Sequence, residues 1–114
     1  MGEEGVRAGI PRSYYSMGVG AVQMAESYGL RGNKALCSRW AKKSVQTWEC
    51  FFRVDSKWFN SYLFYAKALG LLGQTSRMDA ALAKAKRIAG PSLSLNACEA
   101  VRSEVRRIAI ALSV

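Results

Sequence analysis

Residues 33–53, NKALCSRWAKKSVQTWECFFR, decide the fold. On a wheel of 3.6 residues per turn, Leu36, Trp40, Ala41, Val45, Trp48, Phe51 and Phe52 gather on one half. Arg39, Lys42, Lys43, Gln46, Glu49 and Arg53 fill the other. No period-two alternation runs through the stretch. It reads as an amphipathic helix that lays an apolar face on a core and turns a basic face to solvent. Asn33 stands where an N-cap belongs.

The same periodicity continues in both directions. Upstream, Met17, Ala21, Met24 and Tyr28 recur at helical spacing. They predict a first helix over 13–28, with Pro11 near its start and Gly29 and Gly32 near its end. Gly18 and Gly20 each weaken that helix by about 1 kcal/mol relative to alanine, unless they admit a close helix contact. Downstream, Asp55-Ser56 is the expected cap of a third helix that runs to Leu72 and ends at Gly73. Its residues Trp58, Phe59, Tyr62, Leu63, Phe64, Tyr65, Leu69, Leu71 and Leu72 point in every direction, and Lys67 is its one charge past the first turn. A helix apolar all round is buried, inside the domain or against a partner, so Trp58 and Leu69 are expected in the core.

A fourth helix is expected from Ser76, with Asp79 reaching back as a capping box and Met78, Leu82, Ala85 and Ile88 inward, stopped by Gly90-Pro91. A fifth is expected over 95–112, capped by Asn96 and Glu99. It turns Ala97, Val101, Val105, Ile108 and Leu112 inward and Glu99, Arg102 and Arg106 outward. Short connections make neighbours antiparallel. The expected fold is all-α: a compact array or bundle of about five antiparallel helices, with residues 1–12 an N-terminal extension and 13–114 one helical domain.

Composition narrows the chemistry. The 114 residues are one domain's worth, and half of them are hydrophobic, too many for a disordered chain. There is no histidine, which excludes His-based triads, imidazole metal sites and a histidine pH switch. Cys37, Cys50 and Cys98 are odd in number and widely spaced. They make neither a disulfide framework nor a CxxC zinc pattern, so free thiols in a reducing, intracellular setting are expected. Met1-Gly2-Glu3-Glu4-Gly5-Val6 lacks a signal-peptide layout, and Val6 replaces the Ser or Thr of a myristoylation site. The longest apolar run, 58–72, is interrupted by Asn60, Ser61 and Lys67 and is shorter than the roughly 20 residues of a membrane span, so none is expected. The acids are scattered, and Glu99 and Glu104 are separated around the wheel. Gly18-Val19-Gly20 lies in a helical pattern and not in a phosphate loop. Cys37 has Lys34 and Arg39 nearby to lower its pKa, but no histidine base. No enzyme, cofactor or metal is expected.

Charge is the strongest functional signal. Seventeen Lys and Arg against eight Asp and Glu leave +9, of which residues 31–57 carry +5 and residues 77–114 carry +4. Arg31, Lys34, Arg39, Lys42, Lys43 and Arg53 form one basic patch. Lys84, Lys86, Arg87, Arg102, Arg106 and Arg107 form another. Such patches attract phosphate backbones, acidic proteins or anionic lipid; the plainer alternative is a solvated basic surface. The aromatics between Trp40 and Tyr65 read first as core, with base stacking as the sharper alternative. Trp40, Trp48, Trp58 and Phe59 are the candidates to face a partner.

Tyr62, Tyr65, Ala66, Leu69, Leu72 and Gly73, followed by Arg77-Met78-Asp79-Ala80-Ala81-Leu82, resemble a tetratricopeptide or pentatricopeptide helical-repeat hairpin over residues 62–105. In that pattern an aromatic opens the first helix, a glycine closes it, and a segment like Asp-x-Ala-Leu opens the second, while Ala66, Ala81 and Ala85 allow close approach. Gln74-Thr75-Ser76 lengthens the turn, the stretch after Ala89 is short, and one unit stands alone, so no nucleotide-recognition code carries over. The resemblance implies a docking hairpin and an organellar setting, mitochondrion or plastid. The function expected is a non-catalytic structural subunit of a larger assembly. It docks on protein subunits through aromatic-rich helices and turns basic faces to RNA or an acidic surface. A free-standing RNA-binding module and a basic matrix-type protein at a membrane surface are the alternatives.

Overall fold

The computed structural model describes residues 2–94 and 96–113, with side chains from Arg12 onward. Among them five α-helices follow in order: α1 (Gly2–Leu30), α2 (Lys34–Val54), α3 (Phe59–Leu71), α4 (Thr75–Ala89) and α5 (Ala97–Leu112), with a 3-10 turn at Gly90–Ser92. The class is all-α, as the periodicity predicts.

Two turns of one design set the topology. Gly32 and Gly73 each hold φ at +79°, a left-handed conformation that glycine enters without a Cβ penalty. Behind Gly32, the Asn33 N–H donates to the Tyr28 carbonyl at 2.9 Å and the Gly32 N–H to the Gly29 carbonyl at 3.0 Å. Behind Gly73, the Gln74 N–H donates to Leu69 at 3.0 Å and the Gly73 N–H to Gly70 at 2.9 Å. This pair of bonds closes a helix C-terminus in the Schellman manner and folds α1 back on α2 and α3 back on α4. Asn33 then caps α2, its Oδ1 accepting from the Leu36 N–H at 3.1 Å, as the sequence predicts.

The other expected caps are not made. The Asp55 N–H donates to the Phe51 carbonyl and ends α2, while its carboxylate accepts from the Lys57 N–H; α3 starts at Phe59 with Trp58 as its uncapped boundary. Helix α4 starts at Thr75 rather than Ser76, and Asp79 reaches across to Arg102 instead of back to a cap. Asn96 precedes α5 without a side-chain capping bond, and Leu95 lies outside the described residues. Helix α1 begins at Gly2, so Pro11 stands inside it and residues 2–12 of the stretch expected as an extension are helical in their backbone; side chains before Arg12 and all of Met1 lie outside the described residues.

Helix α3 is the centre: it packs on α1, α2, α4 and α5. Leu69 beneath it is buried with Leu82 of α4, Ile108 of α5, and Val22 and Ala25 of α1. Glycine decides how close these helices come. A Cβ on Gly18 would stand 2.5 Å from Trp48, one on Gly29 2.5 Å from Ile108, and one on Gly70 2.6 Å from Met78. The buried stripe of α1 is therefore Gly18, Ala21, Val22, Ala25 and Gly29. Met17 and Met24, expected inward, are 51% and 39% exposed. The stripe is rotated because bare glycine backbone accepts a whole indole or isoleucine, and a methionine stripe would hold the helices apart. The Ser44 hydroxyl locks the contact, donating to the Gly18 carbonyl at 2.8 Å.

Above this small-residue core sits an aromatic one. Trp48 stacks on Phe64 at 6.0 Å and takes Tyr15 edge-on at 5.3 Å, while Phe52 stacks on Tyr62 at 4.2 Å. The density of rings between Trp40 and Tyr65 is mostly explained by this packing, which contributes about 0.5–1.5 kcal/mol per pair beyond area burial. Lys67 joins three helices. Its Nζ lies 3.3 Å from Glu26 Oε1 of α1 and pairs with Glu104 of α5. With 13% of its side chain exposed, it is a structural cation rather than a surface one.

Candidate functional site

The fold sorts the charges into neutralised and unneutralised. Glu26 and Glu104 hold Lys67, Glu49 holds Arg77, Asp79 and Glu99 hold Arg102, and Glu99 also reaches Arg106. The carboxylates of α1 to α5 from Glu26 onward are thus paired inside the molecule or on the two flanks of α4, Asp55 excepted. Arg39, Lys42, Lys43 and Arg53 have no carboxylate partner among the described residues and are exposed. Spaced at i, i+3, i+4 and i+14, they form a cationic stripe about 20 Å long on the outer face of α2. Lys43 Nζ lies 5.1 Å from the half-buried Trp40 ring.

The first basic patch is therefore real as a face, with two members displaced. Lys34 lines a cleft at the other end, beside Gly73 and Leu112. Arg31 sits in the turn, its guanidinium 5.9 Å from the Tyr28 ring. The second patch is divided. Lys86 and Arg102 line a pocket of about 500 Å³ between α4 and α5 together with Asp79, Glu99 and Cys98, so its charges balance. Arg106 pairs with Glu99, and Arg107 stays exposed on α5. Lys84 and Arg87 face the opposite flank of α4, in a groove of about 370 Å³ against Tyr62 and Tyr65 of α3. Sequence reading missed Arg77 there. Its Nη2 donates to Tyr65 Oη and to Glu49 Oε2, both at 3.0 Å, and Tyr65 Oη donates to the same Glu49 oxygen at 3.0 Å. Burial, then the Glu49 carboxylate, pushes the Tyr65 phenol above its usual range. The signal was present as Glu49 and Arg77 of opposite sign, but their separation in sequence hid it.

Three expectations are overturned. Trp48 is 0% exposed and cannot face a partner. Burial raises the Cys37 thiol pKa, so Lys34 and Arg39, both exposed, do not activate it. Trp58, expected in the core, is 57% exposed, with only Tyr15 at 6.5 Å among its ring neighbours. Trp40 and Phe59 are half-buried. Among the described residues no three Cys, Asp or Glu side chains converge as a metal site, and no helix is long and apolar enough to cross a membrane. Comparison with protein-family models, curated proteins and solved structures finds no match to this chain.

Proposed function

We propose that the chain is a non-catalytic helical subunit of a larger assembly that turns the outer face of α2 to RNA. The observation that carries this is the charge sorting. Acids that would neutralise a merely solvated basic surface are engaged with Lys67, Arg77, Arg102 and Arg106. The α2 cations remain as an uncompensated row on a rigid element, which is what a phosphate backbone requires. Half-exposed Trp40 beside Lys43 adds an aromatic edge to the row.

The test is salt-dependent binding of the full chain to an oligouridylate. Four phosphate contacts to a single strand give a log–log salt slope of roughly −3. Lys42→Glu with Lys43→Glu is expected to flatten that slope by about half and to weaken incorporation into native complexes, with helicity unchanged. A chain whose binding ignores both the reversal and added salt refutes the reading. Binding to phosphatidylserine vesicles but not to RNA would assign the face to a lipid surface instead.

A further inference from the structure

We propose that the groove between α3 and α4 docks an acidic, aliphatic segment of a protein partner. The inference rests on the reading of the chain as a docking subunit but concerns a different surface.

Charge complementarity is the first argument. Lys84 and Arg87 line the groove with no carboxylate partner among the described residues, and Arg77, already paired with Glu49, closes one end. The pocket on the other flank of α4 balances Lys86 and Arg102 with Asp79 and Glu99. Between these two flanks of α4, the α3–α4 groove is the one with cations left over for an incoming anion. Arg77 is held in place by Glu49 and Tyr65, which fixes one end.

Shape is the second argument. The two hairpins share the turn built on Gly32 and Gly73. Eight residues past each glycine stand Trp40 in α2 and Ala81 in α4. In the first hairpin a large, half-buried ring stands at that position with Lys43 over it. In the second stands only a methyl group, itself 6% exposed, at the floor of the groove.

Ring chemistry distinguishes the occupant. The face of Tyr62 is taken by Phe52 at 4.2 Å, interplanar angle 4°, and Tyr65 packs edge-on against the same ring at 5.1 Å. Tyr62 is 8% exposed and Tyr65 is half-buried with its hydroxyl tied to Glu49 and Arg77, so neither ring is presented to a nucleobase as an open stacking platform. The exposed methyl group of Ala80, above the buried Ala81 and Leu69, instead gives the groove an apolar floor. A peptide alternating carboxylates with aliphatic side chains satisfies both the cations and this lining. A phosphate backbone satisfies only the cations.

The experiment is fluorescence anisotropy of the full chain with a labelled peptide of alternating Glu and Leu, a Gln-for-Glu control peptide, and an oligouridylate as competitor. The Glu peptide is expected to bind and the Gln peptide to bind at least about tenfold more weakly. Lys84→Glu with Arg87→Glu is expected to cost about tenfold or more. Ala80→Trp, which fills the groove from an exposed position without changing charge, is expected to cost a similar factor. Lys42→Glu with Lys43→Glu should leave peptide binding within about threefold, and circular dichroism should show native helicity in each variant.

The proposal is overturned by any of four results: no Glu-peptide binding, equal binding of the Gln peptide, full binding by Ala80→Trp, or equal losses from the two reversals. It is also overturned if the oligouridylate competes for the groove and is lost with the same α4 reversal, which would make nucleic acid the occupant. Loss of peptide binding with RNA retained on α2 overturns the groove alone. The converse overturns the α2 reading alone.

Discussion

Gly18→Ala and Gly20→Ala lie two residues apart on α1 and should change stability in opposite directions. Helix propensity treats them alike: each replacement gains about 1 kcal/mol. At Gly20 nothing lies within 4 Å of an added Cβ, so the gain stands alone. At Gly18 the added carbon would stand 2.5, 2.7 and 2.9 Å from three atoms of the Trp48 ring. That ring cannot retreat. Phe64 stacks on it, Tyr15 meets it at 5.3 Å and Phe51 at 5.6 Å, and it is fully buried. The helix cannot slide either, because Ser44 holds the Gly18 carbonyl at 2.8 Å. Overpacking of this kind costs about 1–3 kcal/mol, and a rigid ring puts the cost at the upper end. The net expectation is a loss of about 2 kcal/mol for Gly18→Ala against a gain of about 1 kcal/mol for Gly20→Ala. At roughly 4 °C per kcal/mol for a domain of this size, the two melting temperatures should separate by about 12 °C. Urea unfolding followed by far-ultraviolet circular dichroism measures this directly, with an unchanged m-value as the check on two-state behaviour. If both variants are stabilised equally, Gly18 is not the place where Trp48 meets α1, and the rotated stripe is wrong.

Lys67→Met should cost about 2 kcal/mol, below the 3–5 of a fully buried pair because the Glu104 side chain is 40% exposed. Adding Glu26→Gln and Glu104→Gln should recover most of it; a Lys67→Met chain of native stability would remove the three-helix tie. Leu69→Ala should cost about 2–5 kcal/mol, while Trp58→Ala, mostly exposed beside one tyrosine, should cost about 1 kcal/mol or less. Equal large losses in denaturant melts would return Trp58 to the core. Alkylation of the native chain without reductant should label Cys50 and Cys98 before the buried Cys37, whose raised pKa keeps it a thiol. Below the ordinary thiol range the Cys37 rate should lag that of a free thiol by a constant factor, and the lag should narrow as pH rises through that range because the free thiol ionises first; a first label on Cys37, located by peptide mass, would contradict its burial.

Much of the fold was legible because it is local. Helical period, the Asn33 cap and the glycines at 32 and 73 act within a few residues, so α2, the buried Leu69 and the inward Val101, Val105 and Ile108 could be read directly. The excess of cations was equally plain, as was their place on the outer half of α2.

What the sequence by itself determined is thus the class, the turns and which half of α2 is wet. Tertiary structure decided the rest. It chose the glycine–alanine stripe of α1 over the methionine one, because the rotation of a helix about its axis is set by the shape of the neighbour it meets and not by hydrophobicity alone. It buried Trp48 and left Trp58 out, although both are tryptophans at the edges of apolar runs. It paired Lys67 with Glu26, forty-one residues away, and divided the second basic patch between opposite flanks of α4. Attraction between opposite charges falls off with distance in space. Spatial distance between residues on different helices exists only once the backbones have docked.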